Sequence, residues 1–175
     1  MIAMGDEDKK GFSIGEKVVY PTHGVGVISD ITEKLLNGES VQYYVITIPS
    51  LDMNILLPSD NAASLGLRRL SKKEDMKKAI SSLSERKEVR GSDWKSRQQM
   101  QMNLLKTGTI GNVATVVNIL YNRQKVRDLP IQERRLFETA LTHLVDECSY
   151  VLGIDSESAK RTIFSHLERL KSAPI

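Results

Sequence analysis

Residues 15–26 read Gly15-Glu16-Lys17-Val18-Val19-Tyr20-Pro21-Thr22-His23-Gly24-Val25-Gly26, and they decide the class of the first half of the chain. Val18, Val19 and Tyr20 are strand formers, Pro21-Thr22-His23-Gly24 breaks the strand, and Val25 starts the next. Glycines 24 and 26 within that second strand point to a tight bend of the kind a small curled sheet requires. Working outward, Glu16–Tyr20, Gly24–Ile31, Gln42–Ile48 and Met53–Leu57 are rich in Val, Ile and Tyr. They are separated by turn residues at Asn37-Gly38, Pro49-Ser50 and Pro58-Ser59. Asn37-Gly38 is the strongest hairpin signal, since both residues tolerate the positive φ of a type I′ turn. Four or five short strands in this span predict a small SH3- or Tudor-like barrel, with edge strands that another sheet could extend.

After Leu70 the period lengthens. Met76, Ile80 and Leu83 make one helical stripe, and a break at Gly91-Ser92 lets Ser92 or Asp93 cap a second helix to about Lys106. Ile110, Val113, Val117 and Leu120 mark a third. Pro130 suits the first turn of a fourth, with Leu136, Phe137, Ala140, Leu141, Leu144 and Val151 facing inward up to Gly153. Asp155 or Ser156 caps a fifth, carrying Ile163, Leu167 and Leu170. The expected architecture is therefore α+β: a flexible tail over 1–11, the Tudor-like domain over 12–70, and a compact all-helical domain over 71–172.

Composition narrows the function. Of 175 residues, 40% are hydrophobic and 27% charged, as in a globular protein. No apolar run suggests a membrane span, and the start lacks the pattern of a signal peptide, so the cytoplasm is the expected compartment. The single cysteine, Cys148, excludes an internal disulfide and a Cys-rich zinc site, and reads as a small core residue. His23, His143 and His166 are dispersed without metal spacing, His23 reading as a structural turn residue. Gly24-Val25-Gly26 lacks the third glycine and the helix of a dinucleotide fingerprint. Neither catalysis, a metal nor a cofactor is expected.

Charge points to a polyanion instead. Residues 1–70 hold six Lys/Arg against nine Asp/Glu, whereas residues 68–97 hold eleven against five. Within that basic stretch stands the only tryptophan, Trp94, expected at the second or third position of its helix. Arg97 follows at i+3 on a similar face. Such a ring either pins its helix to a neighbour, with Arg97 stacked on it, or is presented to bases and phosphates. In the first half, Tyr43 and Tyr44 point to opposite faces of one strand, so at most one of them packs in the core.

The run Val18-Val19-Tyr20-Pro21-Thr22-His23-Gly24, with Ile55-Leu56-Leu57-Pro58 and Gly66-Leu67-Arg68, resembles the amino-terminal domain of the CarD/CdnL-type bacterial transcription regulators. The spacing to Trp94-Lys95-Ser96-Arg97 and Thr107-Gly108, and the later Leu129 and Glu133-Arg134-Arg135, extend the likeness over residues 12–170. The first motif is shared with the polymerase-interacting module of the transcription-repair coupling factor; joined to the W-x-x-R, it resembles the short CdnL-like form.

The resemblance implies that the first domain binds the RNA polymerase β subunit through an edge strand and its flanks, with Lys34, Tyr43 and Leu56 at the contact. It implies that the helical domain lies on promoter DNA at the upstream edge of the bubble, without sequence-specific readout. There Trp94 would wedge into the minor groove and stabilise the open complex, with Arg97 beside it. Ser96 and Gln98 stand where arginine and tyrosine are usual, which either weakens the DNA clamp or shifts it onto Lys95, Arg90 and Arg86. A cytoplasmic monomer, associated with the nucleoid through polymerase, is the implied state. The alternative is a protein–protein adaptor without direct DNA contact.

Overall fold

The structure is a computed structural model that describes residues 11–87 and 93–169. Strands β1 (Lys17–Tyr20), β2 (Gly24–Leu36), β3 (Glu39–Ile48), β4 (Met53–Pro58) and β5 (Arg68–Arg69) form one antiparallel sheet in the order β4-β3-β2-β1-β5. Asn37 (φ 53°) and Gly38 (φ 83°) are both left-handed, and Leu36 pairs with Glu39 across them, as a two-residue hairpin turn requires. β2 runs five residues further than its hydrophobic run suggested, because the hairpin arm beyond Ile31 is held by pairing rather than by burial. β4 and β5 are the two edges, so the Tudor-like domain is an open sheet and not a closed barrel.

Alternation places Val18, Ile28, Tyr44, Ile46, Ile48 and Leu57 in one core, closed by Ala62 and Leu67. Of the tyrosine pair, Tyr44 is buried, its hydroxyl accepting from the Phe12 amide at 3.0 Å, whereas Tyr43 is half-buried on the other face. Gly26 has no room for a side chain: a Cβ would stand 2.8 Å from Ile46 Cγ2 and 2.9 Å from the Thr47 carbonyl oxygen.

The second half folds into α1 (Lys73–Ser82), α2 (Trp94–Thr107), α3 (Ile110–Val126), α4 (Ile131–Leu152) and α5 (Ser156–Glu168). Asp93, Thr109 and Asp155 cap α2, α3 and α5 through their side chains, and Gly108 and Gly153 end α2 and α4 in left-handed geometry. Pro130 stands just before α4 as its N-cap rather than within its first turn. The core joins Met76, Ile80 and Leu83 to Val113, Val117, Leu120, Leu136, Phe137, Ala140, Leu144, Ile163 and Leu167. Cys148 is buried among them, and burial pushes its thiol pKa up. Ala114, Val116 and Ile119 are buried as well, so α3 is the central helix and is apolar beyond the single stripe expected. Leu170 lies outside the described residues. No helix among those described is long and apolar enough to cross a membrane.

The β1–β2 turn docks the two halves. Pro21 packs against Gly66 and Gly108; a Cβ on Gly108 would stand 2.6 Å from Pro21 Cγ. Arg68 reaches across to α4, donating to both carboxylate oxygens of Glu147 (2.7 and 2.9 Å), and its Nε donates to the Gly108 carbonyl at 2.7 Å. Ser71 donates to the same carboxylate through its amide and hydroxyl. Lys17 lies over the Tyr150 ring, 4.5 Å from its centroid.

His143 of α4 covers Gly24, whose Cβ would stand 3.2 Å from the imidazole Cδ2. His23, expected as a structural turn residue, stacks on Tyr20 with centroids 4.9 Å apart. Burial, and then the proximity of His23, lower the pKa of His143 below 6.5; Glu147 opposes them. The unfolded chain therefore binds a proton at this site before the folded chain does. The site's contribution to stability is full above pH 6.5 and is lost as pH falls below it toward the lowered folded value. Thermal melts between pH 7.5 and 5.5 should show a decreasing midpoint, with a shallower decrease in His143→Gln. Equal slopes in the two proteins would contradict this assignment.

Candidate nucleic-acid interface

Trp94 is the first residue of α2, ahead of the second or third position expected, because Asp93, one of the two expected caps, is the N-cap: Asp93 Oδ1 accepts from the Ser96 amide at 2.8 Å. That bond, with the Ser96 side chain and Arg97, holds the Asp93 pKa below its ordinary value. Ser96 thus fixes the helix start on which the indole stands. The ring is 54% exposed, which is too open for a core anchor, and the cation over it is Lys95, 5.7 Å from the ring centroid.

Helical spacing puts Trp94, Arg97, Gln101 and Leu105 along one side of α2. Only Gln101 and Leu105 of this helix are buried, and Met100 and Met102 are exposed with Trp94. α2 is therefore attached by a narrow face and displays the rest. Arg97 is half-buried, and it lines a recess with Arg86, Lys87, Asn122 and Arg123. The structure thus brings Arg86 and Arg97 together, with Trp94 and Lys95 at the start of the same helix. Arg90 lies outside the described residues.

Two residues that set this geometry were not singled out from the sequence. Asn118, fully buried on α3, donates to the carbonyls of Ser82, Leu83 and Glu85 at 3.2, 3.2 and 2.5 Å, and accepts from the Lys87 amide at 3.3 Å. It ties the segment after α1 to α3 and so positions Arg86 and Lys87. Arg123 pairs with the buried Glu133 at 3.2 Å. An Asn inside the apolar run Val113–Leu120 was the available signal, because a polar side chain there must find partners.

Lys34, Tyr43 and Leu56 lie elsewhere, in the sheet. Lys34 faces Val41 on the projecting β2–β3 arm, and Tyr43 pairs with Pro58. β1 reaches only to Val27 of β2 and β4 only to Tyr43 of β3, so the arm beyond them is paired only with itself; β4, one of the two edge strands, carries the half-exposed Leu56. Leu35 and Leu36 at the arm's tip are more exposed still, at 81% and 54%. Among the described residues no cluster of three or more His, Cys, Asp or Glu side chains could hold a metal ion.

Residues 12–71 match the family described as the CarD-like/TRCF RID domain, and residues 78–164 match the one described as the CarD C-terminal domain. YdeB of Bacillus subtilis (strain 168), a candidate transcription factor by name, is 30% identical over 149 residues, which cover 85% of this chain and 97% of that protein. Both halves of the molecule, in this order, are thus accounted for, and the chain belongs to the CarD-like family of transcription factors.

Proposed function

We propose that this protein binds the β subunit of RNA polymerase through its sheet domain and holds promoter DNA at the upstream edge of the bubble through its helical domain. The observation that carries the DNA half of this reading is the exposed indole of Trp94, set on a capped helix start beside Lys95 and Arg97. An apolar wedge entering the minor groove must unstack a base step. That cost is smallest where the duplex is already opening, so the wedge favours the melted state. Cations around it grip phosphates without reading sequence. Attachment to polymerase raises the local concentration of a weak DNA grip, which makes it selective for promoters in use.

The family and the apolar β4 edge and hairpin arm support the polymerase half. Edge strands offer unpaired backbone groups to an incoming strand, and Leu56 gives such a contact an apolar centre. The double variant Lys34→Glu/Leu56→Glu changes two exposed side chains and should leave the fold intact. It should fail to co-purify with polymerase, while weak binding to DNA persists. Retention of the complex at wild-type yield would place the interface elsewhere. An adaptor without DNA contact is the competing reading; a steep fall of DNA binding with salt, in the presence of polymerase, argues against it.

A further inference from the structure

α2 is fastened to the bundle by one end. None of the residues from Trp94 to Met100 is buried, Arg97 and Gln98 being half-buried at most. Burial begins only at Gln101 and Leu105, with Leu104 packed partly against the core. The far end is pinned: the Gly108 carbonyl accepts from Arg68, Pro21 packs on Gly108, and Thr107 Oγ1 accepts from Asn112 Nδ2 of α3 at 2.6 Å. α5, of nearly the same length, instead buries Ala159, Ile163 and Leu167 along its whole face.

The first buried residue of α2 is also a poor anchor. Gln101 is fully buried, yet neither its Nε2 nor its Oε1 has a hydrogen-bond partner among the described residues. Asn118, the buried amide of α3, is the opposite case: its side chain bonds to Ser82, Leu83, Glu85, Lys87 and Asn122. An amide buried without partners gives up its hydration and gains nothing in return, which disfavours the closed position of the helix. Moving α2 outward returns the Gln101 amide to water, and little beyond Leu104 and Leu105 opposes the movement through apolar burial.

We infer that α2 is a hinged element that opens from α3 and α4 about its Gly108 end while the rest of the bundle stays folded, and that the buried amide of Gln101 keeps this opening easy. Segments that open singly are those with few buried apolar contacts. The hinge stands whatever Trp94 does. Only its use, letting the indole follow a base step as the duplex melts, rests on the function proposed above.

The test is amide hydrogen exchange on the full chain, without DNA or polymerase, in the wild type and in Gln101→Met. Freed of the bundle, a helix of this length is marginal in water, so opening exposes its amides to exchange. Met has a similar reach and helix propensity, with no amide left to satisfy. In the wild type, the Met102 and Asn103 amides should exchange roughly 100-fold faster than those of Val117 and Leu120 in α3. Their rates should also depend less on denaturant, because the opening exposes little surface. Gln101→Met should slow the α2 amides about tenfold or more, since it stabilises the closed helix.

Two results overturn the inference. Exchange of α2 as slow as that of α3, with the same denaturant dependence, means that the helix opens only with the whole bundle. Unchanged or faster α2 exchange in Gln101→Met means that the Gln101 amide does not loosen the helix. A circular-dichroism melt checks that the variant is folded, and Gln101→Leu repeats the comparison should Met fail to pack. The open-complex lifetime of Trp94→Ala is a separate readout, so a failed hinge and a failed wedge are told apart.

Discussion

Glu147→Ala should destabilise the protein by about 3 kcal/mol, the largest effect expected of any single substitution here. Glu147 is 2% exposed and accepts two hydrogen bonds from Arg68 and two from Ser71. Removing it strands a guanidinium, a backbone amide and a hydroxyl at the joint between the domains. Breaking a buried pair by deleting one partner generally costs about 3–5 kcal/mol. Arg68 keeps 24% exposure and can recover some hydration, so the lower end applies. For a protein of this size that corresponds to a fall in melting temperature of roughly 6–12 °C. Denaturant titration of Glu147→Ala beside Glu147→Gln checks it. Gln retains an acceptor for Ser71 and should lie between wild type and Ala. A loss below about 1 kcal/mol in Glu147→Ala would mean that the joint is held by the Pro21 packing alone.

Trp94→Ala should leave folding nearly unchanged and shorten the lifetime of a promoter open complex. The ring is more than half exposed, so its removal leaves no substantial cavity. Stacking or wedging of an aromatic ring on a base is worth about 1–3 kcal/mol. Loss of the middle of that range corresponds to roughly a tenfold shorter lifetime, or more. The same residue supplies its own spectroscopic check as the chain's only tryptophan. Its emission in the free protein should be that of a hydrated indole and should change on addition of forked DNA. A buried emission in the free protein would place the ring in a core.

Local chemistry made much of this molecule legible. Asn37-Gly38 has one cheap solution, a two-residue hairpin, and the structure adopts it. The change from period 2 to period 3.6 after Leu70 separates sheet from helices where β5 meets α1. Asp155 and Gly153 each act where a cap was expected.

What the chain hid was non-local. Arg68 and Glu147 are 79 residues apart, and nothing near either one announces the other. The openness of the sheet depends on how far β4 lies from β5 in the sheet order, which alternation of residues does not encode. The residues of the candidate interface followed the same division. Trp94 stood out because a large apolar ring in a basic stretch is anomalous on its own. Asn118 and Arg123 acquire meaning only once α3 lies beside the segment after α1, so the basic recess could not be read from spacing.

The most direct test of the account is the lifetime of a promoter open complex after competitor challenge. It should be measured with polymerase alone, with the wild-type protein, with Trp94→Ala, and with Lys34→Glu/Leu56→Glu. Only the wild type should prolong the lifetime, since one variant lacks the wedge and the other the tether. Equal prolongation by the wild type and both variants, or none by the wild type, would contradict it.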